Sequence, residues 1–334
     1  MTVVDVHNHF YPPEYLSALR SGDSAVRVTE DAEQNPVIHY PGDYNVAVRG
    51  HRDIAYRAGV LEQEGVDTQV ITLTTPGTHV EEPRRAVELA RLVNDAFAAI
   101  VRERRPRFAA LATLPLNDPA ASVAELTRAM TTLGMPGAMV FGNVNGVALA
   151  DPRYEPLWTE ANRLGAIIHI HPTHPVGVEA MTDYWLMPLV GFLFDTTLAA
   201  AKLVFSGVME RHPDISWVLS HLGGAIPYLA ERLDRGYEAF AECRVNISRP
   251  PSSYLKRCYY DTVNFDPAAL RFAIGFAGVE HILAGSDYPH AIGSIPRMKS
   301  SIAALDIDVG DRAKIVGENA RQLFSLTTSR RGDG

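Results

Sequence analysis

Eight short apolar runs, rich in β-branched residues and bounded by turn signals, recur along the chain. They are Val3 to His9, Thr68 to Thr74, Phe108 to Leu116, Gly137 to Asn143, Ala166 to Pro172, Ile215 to Gly223, Tyr259 to Asn264 and Ile282 to Tyr288. Near-continuous apolar runs of this length are the mark of strands buried on both faces, since apolar–polar alternation develops only when one face meets water. Helical patterns separate them. Between Pro83 and Arg104, residues Ala86, Leu89, Ala90, Val93, Phe97 and Ile100 form one apolar stripe at helical spacing. Asp118 followed by Pro119 predicts a helix start, Gly134 a helix end, and Asp266 with Pro267 repeats the starting device. Eight strands alternating with helices predict an α/β protein, a (β/α)8 TIM barrel. A doubly wound open sheet is the competing architecture, but no GxGxxG follows the first strand.

Barrels of this kind accommodate the 334 residues as one unit, so a single domain over residues 1–326 is expected, followed by a polar tail, 327–334. Two stretches break the repeat. Residues 11–50, with Gly22, Pro36, Pro41, Gly42 and the alternating run Val37 to Tyr40, predict an insertion after the first strand, a small β-hairpin lid. Residues 173–195 predict a long aromatic-rich loop after the fifth strand. Loops that follow barrel strands emerge at the C-terminal face, so both belong on one side.

A formal charge of −8, with 46% hydrophobic and 21% charged residues, describes a globular chain with no basic footprint for nucleic acid or anionic membranes. A small-molecule partner is expected. Cys243 and Cys258 are too few, and too far from CxxC spacing, for a disulfide framework. The start MTVVDVHNHF has neither the basic nor the apolar region of a signal peptide, and no run of about 18 apolar residues occurs. The expectation is a cytoplasmic protein that does not span a membrane.

Metal-ligand residue types cluster at the ends of strands one, five, six and eight, where a barrel places reactive groups. His7 and His9 stand two apart on a strand and share a face, with Asn8 opposed. Alone, such a pair reads equally well as two polar residues at a strand end. His169 and His171 repeat the spacing in AIIHIHP; His171 is nearer the mouth and is the better ligand, whereas His169 suits a buried, hydrogen-bonded role. His221 ends ISWVLSH before Gly223 and Gly224, and reads either as a site residue or as a cap at a strand–helix turn. Asp287 in ILAGSDYPH would be costly to bury without a cation, although an Asx-turn before Pro289 is its plainer reading. Three imidazoles and one carboxylate suit zinc; manganese, iron and cobalt stay open.

These motifs together resemble the amidohydrolase superfamily, and in particular its branch of enzymes similar to 2-amino-3-carboxymuconate 6-semialdehyde decarboxylase. The likeness rests on HxH in the first strand, HP after the fifth, SHLGG after the sixth and GSDYP after the eighth. EGVDTQVITL, PRFAALATLPL, YWLMPLVGFLFDTT and NARQLF extend it over nearly the whole chain. The resemblance implies that His7, His9, His171 and Asp287 are metal ligands and that His221 contacts the reacting groups. Many binuclear relatives carry a lysine on the fourth strand; GAMVFGN has none, which implies one metal. Arg232 falls where the branch has an arginine that reaches a neighbouring subunit's site to hold a carboxylate, implying a homodimer or higher homo-oligomer. The branch's second arginine position falls on Asn45, with Arg49 and Arg52 nearby.

The leading expectation is a non-oxidative decarboxylase of a small aromatic, hydroxybenzoate-like, or muconate-like carboxylic acid. Asp287 or His221 would supply the proton that replaces CO2. Arg232 and Arg49 would bind the carboxylate, and Tyr184, Trp185 and Phe192 would wall a planar substrate. A mononuclear metal-dependent hydrolase or hydratase, with His221 as base, is the alternative that the ligand set leaves open.

Overall fold

The computed structural model describes residues 1–21 and 24–326; Gly22 and the expected polar tail, 327–334, lie outside the described residues. Eight parallel strands follow the eight apolar runs. They are β1 (Val4–Asp5), β2 (Thr68–Ile71), β3 (Phe108–Ala110), β4 (Gly137–Phe141), β5 (Ile167–His171), β6 (Ser216–Leu219), β7 (Tyr259–Asp261) and β8 (Ile282–Leu283). Each pairs in parallel with the next, β1 with β2, β2 with β3, and then β4 through β8 in order. A bridge between Ala112 and Ala138 joins β3 to β4. The cylinder closes at Asn8 and Tyr288, beside which the carbonyl of His7 accepts the amides of Ser286 and Asp287 at 3.1 and 2.7 Å. The fold is a TIM barrel.

Local chemistry places the helices outside it. The helix Pro83–Glu103 buries Ala86, Leu89, Ala90, Val93 and Phe97, the stripe its spacing predicts. Asp118 accepts from the amide of Ala121 at the head of Pro119–Thr131, and Asp266 accepts from Ala268 and Ala269 at the head of Pro267–Ala277. Gly65 ends Ile54–Glu64 at φ 66°, a left-handed cap that a side chain would strain, and the chain turns straight into β2.

The insertion after β1 is larger than a hairpin. It holds a helix, Pro13–Arg20, and a three-stranded antiparallel sheet, Arg27–Glu30, Pro36–Tyr40 and Asp43–Val46, with Pro36–Tyr40 in the middle. Tyr40 reaches Thr75 Oγ1 through its hydroxyl at 3.0 Å and Asn45 donates to the Thr75 carbonyl at 2.8 Å, tying the sheet to the loop after β2. Its Tyr44 meets Trp185 edge-on at 5.8 Å, so the two segments that break the repeat touch each other at the mouth.

The expected loop 173–195 is corrected by the structure. Only its first part is irregular; Met187–Gly191 is a π-helical turn, wider than an α-helical one, that runs into the helix Phe192–Phe205. Met187, Gly191, Asp195, Ala199 and Leu203 are buried at helical spacing, but Leu189, Val190, Phe194 and Leu198 on the opposite side are apolar and exposed. Apolar residues on both faces erase the amphipathic signal by which a helix is read. Among the described residues this is the one helix long and apolar enough to cross a membrane, yet its inner face belongs to the barrel. Buried Asp195 accepts from the Thr173 amide at 3.0 Å and from Asn143 Nδ2 at 2.9 Å, fastening the helix to the ends of β4 and β5.

Burial raises the Asp195 carboxyl to about 6, against lowering by those two hydrogen bonds. The folded chain therefore holds this proton more tightly than the unfolded chain does. Stability from it is present at low pH and is lost as pH rises from about 4 to about 6, by roughly 2–3 kcal/mol. Asp195→Asn should remove that component, so that denaturant midpoints of variant and wild type diverge across this window in the variant's favour. Parallel curves from pH 4 to about 7 would refute the assignment.

Candidate metal centre

The first strand sets the site. In VDVHNHF, alternation sends His7 and His9 into the barrel and Asn8 out toward the helices, and all three are buried. Asn8 Oδ1 accepts from the fully buried Arg57 at 2.8 Å; the same guanidinium bonds Gln69, the Gly50 carbonyl and the His9 carbonyl. Asp5, one turn of the pleat below, takes Ser286 Oγ at 2.6 Å and Gln69 Nε2 at 2.7 Å. The backbone beneath the two histidines is thus held from three sides.

His171 ends β5, and its Nδ1 donates to the Pro172 carbonyl at 2.8 Å, which leaves the Nε2 lone pair free. Asp287 follows β8 with φ 56°; its Oδ1 lies 3.1 Å from His9 Nε2 and 3.4 Å from His7 Nε2, and its Oδ2 lies 3.9 Å from His221 Nε2. One donor atom from each of His7, His9, His171 and Asp287 falls within 4.8 Å of the others, and all four residues are buried. His221 stands over this group, its ring 4.9 Å from that of His7 and 5.7 Å from that of His171. His169 lies one layer deeper, with Nε2 3.0 Å from Ser220 Oγ.

The electrostatics call for a cation. Burial opposes ionisation of Asp287, but the adjacent imidazoles of His221, His7 and His9 hold its carboxyl well below the usual range. Burial likewise opposes charge on Asp261, which the neighbouring His7 nonetheless pulls down to about 2. Two carboxylates are therefore ionised in a buried pocket. Burial disfavours protonation of His7, yet Asp261 and then Asp287 draw it up to about 10, while burial keeps His9 and His171 well below the ordinary histidine value. A proton on His7 is the compensation available to the protein alone. The buried His7 Nε2 has no hydrogen-bond partner, so a divalent metal fits this group on donor chemistry, on charge and on the orphaned nitrogen.

The other residues singled out in the sequence lie elsewhere. Arg49 is exposed, paired with Asp53 at 3.0 Å and stacked over Tyr56. Arg232 is exposed on the helix Ile226–Ala239 and has no ion-pair partner among the described residues. Tyr184 and Trp185 are 87% and 58% exposed at the rim, and Phe192 is half-buried, so none of the three joins the buried group in a single chain.

Three further histidines surround the centre that sequence reasoning did not single out. His290 packs 4.8 Å from His9, His51 packs 5.0 Å from His290, and His79 packs against Phe141, which borders His171. Burial lowers all three below the ordinary value. Neither ring nitrogen of buried His51 has a partner. The available signal was position: each follows a barrel strand, in the loops that form the mouth.

The amidohydrolase family profile matches residues 4–326. The chain is 32% identical over 268 residues to 2-amino-3-carboxymuconate-6-semialdehyde decarboxylase of Dictyostelium discoideum, covering 80% of this chain and 75% of the relative. It is 32% identical over 303 residues to gamma-resorcylate decarboxylase of a Rhizobium species, covering 86% of this chain and 92% of the relative. Among solved structures, a dihydroxybenzoic acid decarboxylase from Polaromonas, with bound manganese and the inhibitor 2-nitroresorcinol, matches with a TM-score of 0.83 and 26% identity, covering 100% and 99% of the two chains. The barrel, the buried histidine–aspartate group and these matches agree: the chain belongs to the amidohydrolase family.

Proposed function

We propose that this chain is a metal-dependent, non-oxidative decarboxylase of a small aromatic or dienoic carboxylic acid, a carboxy-lyase. The observation that carries the reading is the convergence of His7, His9, His171 and Asp287 beneath His221 in a chain whose relatives described above are named as decarboxylases. Those relatives support decarboxylation over the hydrolase or hydratase alternative. Residues 1–326 act as one catalytic unit, with 11–50 as its lid.

His7, His9, His171 and Asp287 would hold one divalent ion. The nitrogen-rich donor set favours zinc, with manganese, the ion of the Polaromonas structure, as its competitor. When bound, the ion supplies Lewis-acid attraction and a template for the substrate carboxylate and an adjacent oxygen. His9 and His171, kept neutral by burial, present lone pairs. Decarboxylation breaks the bond from ring or chain carbon to the carboxylate carbon, releases CO2 and leaves an electron pair that takes a proton. Asp287 is held ionised by its imidazole neighbours, so it carries a proton only in passing, and His221, 3.9 Å away, delivers it.

Arg232 and the exposed apolar face of 187–205 complete the proposal. The helix carrying Arg232 and the exposed Tyr228 packs against that helix, whose outer side exposes Leu189, Val190, Phe194 and Leu198. Two copies meeting there would bury the patch, carry each Arg232 to its neighbour's substrate carboxylate, and close Tyr184, Trp185 and Phe192 over a planar ring. Free Cys243 and Cys258 suit a reducing cytoplasm.

Purified enzyme incubated with 2,6-dihydroxybenzoate, salicylate, 6-methylsalicylate and a muconate semialdehyde acid should release CO2 from at least one, without net consumption of water. His221→Ala should lower kcat for that acid about 10²–10⁴-fold. Hydrolysis of an amide or lactone, with no CO2 from any acid, would replace the reading. Elemental analysis should find one divalent ion per chain, lost in His171→Ala and retained in His169→Ala; the reverse pattern would assign the wrong histidine. Arg232→Ala should raise KM for the acid about tenfold or more while light scattering still reports a dimer, as expected for one lost charge-assisted contact. An unchanged KM would remove Arg232 from the substrate site.

A further inference from the structure

We propose that Asp261 is a positioning residue for this chemistry, its single carboxylate orienting both the ring of His7 and the strained turn that presents His221; the rate component of this claim rests on the decarboxylase reading above. Asp261 ends β7 and is fully buried. Its Oδ2 accepts from His7 Nδ1 at 2.5 Å and from the amide of His221 at 3.1 Å. Its Oδ1 accepts from the amides of Leu222 at 3.0 Å and Val263 at 2.9 Å. Four donors from three strand ends fill the four lone-pair sites of one carboxylate.

Each pair of bonds has a separate consequence. Taking the Nδ1 proton of His7 fixes the tautomer with its lone pair on Nε2, the atom that points at the other three donors and has no hydrogen bond of its own. A carboxylate behind a ligating imidazole also raises its basicity and stops the ring from rotating. On the other side, His221 and Leu222 adopt φ 53° and 57°, two successive left-handed residues with side chains. Such residues are strained and persist only where the surroundings hold them. Their amides are the groups that Asp261 holds.

The packing around the pair is close. A Cβ at Gly285, just after β8, would lie 2.8 Å from His7 Cβ and 3.0 Å from Asp261 Cβ, so the backbone there packs directly on the pair. His7, His169 and Asp261 also gather donor atoms within 4.8 Å. We read them as a support and not as a second metal site, because the oxygens of Asp261 are committed to four donors.

Asp261→Asn keeps the shape but offers one acceptor oxygen where two are needed. With zinc as the probe and chelator competition as the readout, the variant should bind metal about 10–100-fold more weakly. At saturating zinc kcat should still be reduced about tenfold or more with KM little changed, and that deficit should vanish in a His221→Ala background while the affinity loss persists. Proton–nitrogen NMR of the zinc-loaded wild-type enzyme should show one imidazole with a strongly downfield Nδ1 proton and metal at Nε2, absent in His7→Asn. This measurement decides the orientation of His7 even if Asp261→Asn fails to fold. Zinc affinity within twofold of wild type in a folded Asp261→Asn, or metal at His7 Nδ1, would overturn the proposal. If no acid releases CO2, the decarboxylase reading fails, and the affinity and NMR results still judge Asp261.

Discussion

Two ionised carboxylates, Asp261 and Asp287, are buried at the mouth of the barrel among imidazoles, and the surrounding structure is arranged around their charge. Burying a carboxylate in an apolar medium is affordable only with hydrogen bonds and a positive partner. Asp261 receives three backbone amides and one imidazole; Asp287 receives imidazoles alone. The difference separates their tasks. A carboxylate saturated by fixed donors is a strut, and one facing only lone-pair-bearing rings leaves room for a cation.

The barrel makes such a concentration of charge tolerable. Eight strands closed into a cylinder have no free edge, so backbone polar groups at the site are satisfied by neighbouring strands, and side chains can be devoted to chemistry. The closing seam falls between His7 and Asp287, whose backbones bond directly. The first and last strands are far apart in sequence, and barrel closure alone brings their candidate ligands to one point.

The helix 187–205 shows the same principle of compensation in apolar form. Its inner face packs on the barrel and its outer face is equally apolar, which in water calls for a covering surface. Arg232 and the exposed Tyr228 lie on the helix packed against it.

Much of this was legible in the residues. Strand and helix periods predict the barrel, since closely buried strands and one-sided helices leave distinct patterns of polarity. Alternation along β1 separates His7 and His9 from Asn8, because a two-residue repeat fixes which side chains share a face, and position along β5 ranks His171, nearer the mouth, above His169. The helix within 173–195 was hidden, because its pattern lacks a polar side. His51, His79 and His290 were hidden as well: they stand on loops with no periodicity, and their nearness to the centre depends on how those loops fold back. The role of Asp261 was invisible for a related reason. YYDTV reads as a strand end, and nothing local says that this carboxylate meets His7, 254 residues away. The sequence by itself determined the barrel, the candidate ligand types and their strand ends, since these follow from local periodicity and donor chemistry. Which carboxylate supports and which is left to meet a cation was decided by tertiary structure alone, because that depends on how many donors closure of the cylinder brings to each.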